Sequence, residues 1–522
     1  MDVQSLVAIL MVVSTVALLM AGYPVALTLA GVALAFVALG DLFGVMTPSL
    51  LGALPQRIFG VMTNEVLLAI PLFVFMGVML ERSRVAEDLL EALGRLLGRL
   101  HGGLAVAVVI VGVLLAAAKG IVGATTVTMG LIVLPTMLRH GYDKRLAAGT
   151  VAATATLAQI FPPATVLVLL GDQMSNAYQA AQLAQGNFAP QSVTVSDLFA
   201  GAILPAFGLV VLYIVFLVGI AVVAPTSSPA IPPDPSAPHG LALVRRALAV
   251  LVAPILLIVA VLGSILGGLA TPTEAAAVGA FGAMLLAARP DPRAWGAWLA
   301  LVAAAVALLR LLSSHGYDPR ALVTGEVGAL LPAALLVAAG ALLLQPVLRV
   351  HRQGFLVPVL SRTAEVTSMI FLILIGATLF SLVFRGLGGD DLVHRALSDL
   401  PGGTAGAVLT VMLAIFLLGF VMDAFEIIFV VVPIVGPALL RLPGVDPVWL
   451  AVMIALNLQT SYIHPPLGPT LFFLRGVAPK EISTADIYVG AIPFVLIQLL
   501  ALLCLWFVPA VATWLPGVLY GG

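Results

Sequence analysis

Apolar runs fall along the chain at about 3–21, 24–40, 64–80, 103–118, 121–138, 146–170, 198–224, 241–266, 272–288, 294–312, 327–348, 364–384, 405–420, 424–440, 447–474 and 487–514, with polar residues gathered in short loops between them. A helix needs about 20 apolar residues to cross a bilayer, so the pattern predicts an all-α polytopic membrane protein of roughly a dozen spans. Several runs are short or broken by Pro and Gly. Runs 103–138 and 405–440 are each expected to form a re-entrant hairpin, and runs 146–170 and 447–474 a helix interrupted at mid-length. The start, Met1-Asp2-Val3, lacks the basic residues and small-residue cleavage site of a signal peptide, so the first run is expected to remain as a span.

Basic residues near span ends stay in the cytoplasm. With the N-terminus outside and both hairpins returning to the side they entered from, most of the 23 Lys and Arg fall on the cytoplasmic side, among them Arg82, Arg95, Arg139, Lys144, Arg362 and Arg475. Arg57, Arg310, Arg320, Arg385, Arg395 and Arg441 fall outside. Both termini are then periplasmic. The proline-dense stretch 225–240 cannot bury a core and reads as an extended cytoplasmic linker, separating a first half, 1–224, from a second, 241–522.

The halves repeat each other. Glu65 and Glu365, Gly77 and Gly376, Gly102 and Gly402, and Pro162-Pro163 and Pro465-Pro466 keep offsets of 299 to 303. Tyr23-Pro24 and Thr271-Pro272 each open a span at a shorter offset, leaving room in the second half for a two-span insertion at about 294–348. Two added spans preserve parity, so the first hairpin opens to the cytoplasm and the second to the outside: the repeats are inverted. Inverted repeats with interrupted helices characterise secondary transporters, whose solute and ion sites lie where the repeats meet.

Composition sharpens this. The chain is 62% apolar and 9% charged, which excludes a water-soluble enzyme, and its net charge of -1 offers no handle for nucleic acid. Cys504 cannot pair internally and is expected to be a small core residue. No nucleotide-binding G-x-x-x-x-G-K-[ST] loop is present. A membrane enzyme or proton-translocating subunit is a weaker alternative, because it needs a catalytic constellation or a file of lysines and acids. Here one lysine is intramembrane and the acids cluster at one hairpin.

Backbone freed at a break is costly in lipid and survives only where it is buried in protein or lines a polar cavity, so the candidate site residues lie at the breaks. In the first half they are Lys119, Gly120, Gly123, Thr125 and Thr126 at the hairpin tip, and Thr154, Thr156, Gln159, Pro162 and Pro163 at the helix interruption. In the second they are Asp423 and Glu426 at the tip, and Asn457, Gln459, Thr460, Ser461, His464, Pro465 and Pro466 at the interruption. Each Pro-Pro removes two amide donors and frees carbonyls. Hydroxyl and amide oxygens are the donors a sodium ion takes, expected near Gly120, Thr156, Asp423 and Thr460, while half-helix N-termini suit a carboxylate. The plainer alternatives are a kink for the prolines, hydroxyls bonded one turn back, and a helix cap for Asp423 and Glu426. His464 is equally a proton-linked group or a polar filler. Lys119 either attracts an anion, replaces a cation or extends to water.

Ile70–Gly77 (IPLFVFMG), Gly130–Pro135 (GLIVLP), Ile160–Pro163 (IFPP), Thr271–Ala276 (TPTEAA), Ile375–Thr378 (IGAT), Phe384–Gly389 (FRGLGG), Asn457–Ser461 (NLQTS) and Leu474–Pro479 (LRGVAP), in this order, resemble the large membrane subunit of TRAP (tripartite ATP-independent periplasmic) transporters. The resemblance covers nearly the whole chain except the linker and about 294–350. It implies an elevator-type symporter of the ion-transporter superfamily in the bacterial inner membrane, driven by sodium or protons. It also implies no covalent cofactor, a periplasmic substrate-binding protein that delivers an organic acid, and a small four-helix membrane subunit as partner. Relatives carry small hydroxylated residues or glycine where Lys119 stands and threonine where His464 stands, which puts the sodium stoichiometry in question. A stand-alone sodium/dicarboxylate symporter of the same superfamily is the alternative.

Overall fold

The computed structural model describes residues 2–83, 85–119, 122–232, 241–288, 344 and 346–521, and these are helical throughout, with no strand among them. The first half contains α1 (Val3–Met20), α2 (Val25–Leu42), α3 (Leu54–Met62), α4 (Ala69–Arg82), α5 (Val85–Leu97), α6 (Gly103–Lys119), α7 (Val122–Arg139), α8 (Lys144–Thr156), α9 (Thr165–Ala184) and α10 (Val195–Val223). The second contains α11 (Leu241–Leu266), α12 (Pro272–Ala288), α13 (Leu356–Gly386), α14 (Gly389–Ser398), α15 (Gly403–Leu418), α16 (Ala424–Leu440), α17 (Pro447–Ile463), α18 (Pro469–Val477), α19 (Thr484–Phe507) and α20 (Ala510–Tyr520). Among the described residues, seven helices are long and apolar enough to cross a membrane, or up to nine if each of two bent pairs counts as one span. The insertion expected at about 294–348 lies outside the described residues except for 344 and 346–348.

The helices pack as two groups. In the first, α4 lies against α12 and α13, α13 against α2, and α11 against α12. In the second, α8 lies against α19, α7 and α6, α9 against α16, α17 against α15 and α19, and α10 against α20. Two short amphipathic helices at matching repeat positions join the groups: α5, on α6 and α11, and α14, on α16 and α13. On α5, Ala86, Leu89, Leu90 and Leu93 are buried while Glu91 and Arg95, one turn apart, pair at 2.9 Å toward solvent.

Local sequence explains where elements begin. Asp143 caps α8 through Arg145 N and Leu146 N, Asp446 caps α17 through Trp449 N, and Thr194–Asp197 and Ser483–Asp486 form reciprocal boxes at the starts of α10 and α19. All residues of α17 are buried, as are 147–156 of α8, so these two helices form the centre of the second group. α10 and α19 instead keep large apolar side chains such as Val215, Val222, Leu496 and Leu503 outward, as lipid-facing helices do.

Two expectations are corrected. The run 487–514 is two helices, because Pro509 lacks the amide needed to continue α19. Cys504 is exposed, sharing the outward face of α19 with Leu500, Leu503 and Phe507 while Leu505 points inward. In lipid an apolar run is apolar on both faces, and burial inside the protein has to be settled by packing.

The linker begins against the second group. Gly102 N donates to Ser228 O at 2.8 Å, Asp143 N to Ser227 O at 2.9 Å, and Ile231 N to Gly98 O at 2.7 Å. Residues 225–232 are thereby fixed across the base of the first hairpin and the start of α8. The chain then continues into α11 of the first group.

Candidate functional site

Each hairpin tip ends beside a helix break. α6, ending at Lys119, and α7, starting at Val122, pack on the 3-10 turn Leu157–Gln159 that ends α8; α15 and α16 meet at 419–423 beside the end of α17. The proline pairs Pro162-Pro163 and Pro465-Pro466 are both cis and separate α8 from α9 and α17 from α18.

The two breaks meet directly. Thr156 Oγ1 donates to Ala153 O at 2.8 Å and accepts from Gln459 Nε2 and from Gln498 Nε2, each at 3.3 Å. Gln498 Nε2 also donates to Tyr213 OH at 2.7 Å. Thr156 and Gln459 occupy equivalent repeat positions, so this bond lies on the pseudo-twofold relation between the halves. Along the same helix ends and α19, Thr154 Oγ1, Gln159 Oε1, Gln459 Oε1 and Gln498 Oε1 are buried with no hydrogen-bond partner. Buried oxygens are normally satisfied, and an orphaned group costs about 1–3 kcal/mol. Neutral oxygens of this kind are ones that a small monovalent cation or a water takes, and Gln459 and Gln498 are the two of these side chains that bond Thr156. Among the described residues no three His, Cys, Asp or Glu side chains converge.

At the second tip, Asp423 and Glu426 form a reciprocal capping box on α16: Phe425 N donates to Asp423 Oδ1 at 3.3 Å and Asp423 N to Glu426 Oε2 at 2.9 Å. The buried Tyr462 donates its hydroxyl proton to Asp423 Oδ1 at 2.7 Å and accepts from Ala424 N at 2.8 Å, tying the tip to the end of α17. A side chain on Gly419 would collide with Ser461, so the turn lies hard against α17. In the first half the corresponding contact is steric, since a Cβ on Gly112 of α6 would overlap Thr154 Cγ2 of α8.

The remaining predicted residues divide clearly. Thr126, Thr460 and Ser461 donate to carbonyls three or four residues back, at 2.8, 2.9 and 2.8 Å, which leaves their oxygens only as acceptors. Thr125 is buried. Asn457 Nδ2 donates to Met412 O at 2.7 Å, fastening α17 to α15. The His464 ring lies against Phe416 and Phe420, with centroids 5.2 and 5.6 Å away, and its Nδ1 is 2.6 Å from Pro465 O. Lys119 closes α6 with its side chain outside the described residues, as is Gly120.

A cavity of about 610 Å³ joins these parts. Val122 and Gly123 of the first tip, Gln159 of the first break, Asp423 of the second tip, and Tyr462 and Phe473 on either side of the second break face it from the second group. Glu81 and Arg82 at the end of α4, with Arg362 and Glu365 at the start of α13, face it from the first. Thr128 Oγ1 of α7 donates to Glu81 Oε1 at 3.1 Å across the two groups, and Arg362 pairs with Glu365 at 2.9 Å. Tyr213, Gln498 and Glu81 are not among the sequence candidates, and Arg82, Arg362 and Glu365 entered the sequence reading as loop or repeat residues, not as site residues. A lone glutamine within the run 487–514 was the available signal for Gln498.

The family model described as "Tripartite ATP-independent periplasmic transporter, DctM component" matches residues 12–293 and 293–511. The C4-dicarboxylate TRAP transporter large permease protein DctM of Vibrio cholerae is 27% identical over 86% of this chain and 85% of its own length. The ectoine TRAP transporter large permease protein TeaC of Halomonas elongata is 22% identical over 85% and 84%. The isethionate TRAP transporter permease protein DctMQ of Oleidesulfovibrio alaskensis is 24% identical over 85% of this chain but 57% of its own length. Among solved structures, the Alcanivorax borkumensis YdaH transporter aligns with a TM-score of 0.51 at 15% identity, covering 92% of this chain and 89% of that one, a likeness of fold. A multi-pass helical architecture with paired hairpins and breaks, and a family match that runs through nearly the whole sequence, make this chain a transporter component rather than an enzyme, and it belongs to the DctM large-permease family of TRAP transporters.

Proposed function

We propose that this protein is the inner-membrane permease of a secondary importer for an organic acid, driven by an ion gradient, with sodium as the favoured coupling ion. A periplasmic binding protein delivers the solute, and a small membrane subunit packs on the first helix group. The solute occupies the 610 Å³ cavity, while sodium is held near Gly120, Thr156, Asp423 and Thr460. The second group slides against the first in an elevator motion, with α5 and α14 as the connecting arms. Both termini face the periplasm.

One observation carries this reading: the cavity takes residues from both tips, both breaks and both helix groups, so a shift between the groups changes what the cavity faces. The orphaned oxygens of Gln459 and Gln498, whose amides bond Thr156, support a cation there. The test is solute uptake by the purified protein in liposomes, with its cognate binding protein and small subunit, under an imposed sodium or pH gradient. Sodium-driven accumulation is expected; uptake indifferent to both gradients overturns ion coupling. Lys119→Ser is expected to raise the dependence of uptake on sodium concentration, because removing a fixed ammonium vacates a cation position. An unchanged sodium curve assigns Lys119 no such role.

A further inference from the structure

The repeat that builds the central cavity builds a second one. It has a volume of about 430 Å³ and lies at the other ends of the same two helices, lined by residues before the start of α4 and toward the end of α13. From the first group Arg57, Asn64, Ser381 and Arg385 face it, and from the second Asp172 and Asn176 of α9. Asn64 Nδ2 donates to Asp172 Oδ1 at 2.8 Å, bridging the two groups as Thr128 and Glu81 do at the other end, and Gln173 Nε2 donates to the second oxygen of the same carboxylate at 2.9 Å.

The arginines are poorly matched by the protein. Arg57 meets no acid among the described residues. Arg385 approaches only Asp390, through Nε at 3.4 Å, and that Nε lacks a hydrogen-bond partner. The side chains of Asn176 and Ser381 also donate to no described residue. Two guanidinium groups turned into one crevice repel each other unless an anion lies between them, and their planar forks match a carboxylate in paired hydrogen bonds. Asp172 does not fill that role: its two oxygens accept from the amides of Asn64 and Gln173, and it makes no ion pair with either arginine.

We propose that the Arg57–Arg385 cavity is a second anion site, separate from the central cavity, which receives a carboxylate-bearing solute at the opposite mouth of the contact between the groups. The arginines supply the charge-assisted bonds, with Asn176 and Ser381 as neutral donors beside them. The existence of the site does not depend on the transport reading above; only its use as a relay for transported solute rests on that reading.

The test uses the full chain in nanodiscs. Cys504 is the only cysteine, so Cys504→Ser gives a background in which Ala180→Cys, on the wall of this cavity, is the sole thiol. The rate of maleimide labelling is measured in choline buffer without sodium, with millimolar succinate as probe and the neutral succinamide as control. Succinate is expected to slow labelling at least about threefold and succinamide to leave it unchanged. Arg57→Gln with Arg385→Gln removes the protection, while Arg57→Lys with Arg385→Lys retains part of it. Equal rates with and without succinate, equal protection by succinamide, or protection that survives the double glutamine variant each overturn the site. If the glutamine variant fails to fold, the succinate and succinamide comparison in the unmodified cavity decides. A parallel reporter, Val127→Cys, reads the central cavity. Protection there in sodium but none at Ala180 removes this site and leaves the transport reading, whereas protection at Ala180 with uptake indifferent to ion gradients does the reverse.

Discussion

The two hairpin tips occupy equivalent positions and are held in different ways. The second is anchored by chemistry: Asp423 caps α16 and receives the Tyr462 hydroxyl, while Asn457 binds the Met412 carbonyl. In the first, Gln159 stands at the repeat position of Tyr462 and Thr154 at that of Asn457, and neither Gln159 Oε1 nor Thr154 Oγ1 has a partner; among the described residues the close fit of Gly112 against Thr154 packs α6 on α8. Matching positions of the two halves thus need not share their polar contacts. One tip is fastened by hydrogen bonds, whereas the other leaves oxygens available to a bound ion or solute.

Breaking the fastened tip has the largest expected effect. Asp423→Ala removes a helix cap and leaves a buried tyrosine hydroxyl without its acceptor, at a cost of about 3 kcal/mol measured by chemical or thermal unfolding in detergent, with uptake lost. Tyr462→Phe is milder, at about 2 kcal/mol, because the Asp423 cap stays while the bond to Asp423 and the bond from Ala424 N are lost. Next comes the steric joint. Gly112→Ala drives a methyl into Thr154 and costs about 2 kcal/mol, and Gly112→Ala with Thr154→Ser recovers part of it in the same unfolding measurement. Gln459→Leu cuts the bond between the breaks for about 1 kcal/mol and shifts the sodium concentration for half-maximal uptake upward. The smallest effect on stability belongs to Gln159→Leu, within about 0.5 kcal/mol because the lost amide oxygen was unpaired, yet uptake falls. A Gln159→Leu protein with full uptake, or one as unstable as Asp423→Ala, removes the distinction between the tips.

Much of this architecture was legible because covalent chemistry leaves marks in sequence. Proline pairs repeated at a fixed offset locate both breaks, glycines and acids locate the tips, and the proline-rich stretch separates the halves. The connecting helices α5 and α14 were missed by a search for continuous apolar runs, since each carries its apolar residues on one face and charges on the other. The part played by Gln498 and Tyr213 was hidden for a different reason. Each belongs to a long span whose neighbours in space are set by packing, and only that packing brings both side chains to Thr156. The misassigned Cys504 shows the same limit: in an all-apolar run, periodicity carries no information about which side meets lipid.

The fixed course of residues 225–232 has a mechanical consequence. Because α10 sits in one helix group and α11 in the other, the backbone bonds of Ser227, Ser228 and Ile231 carry the connection back over the second group before it crosses to the first. The crossing is thereby tethered to the surface that carries the base of the first hairpin and the start of α8, so losing those three bonds would release the connection at its second-group end.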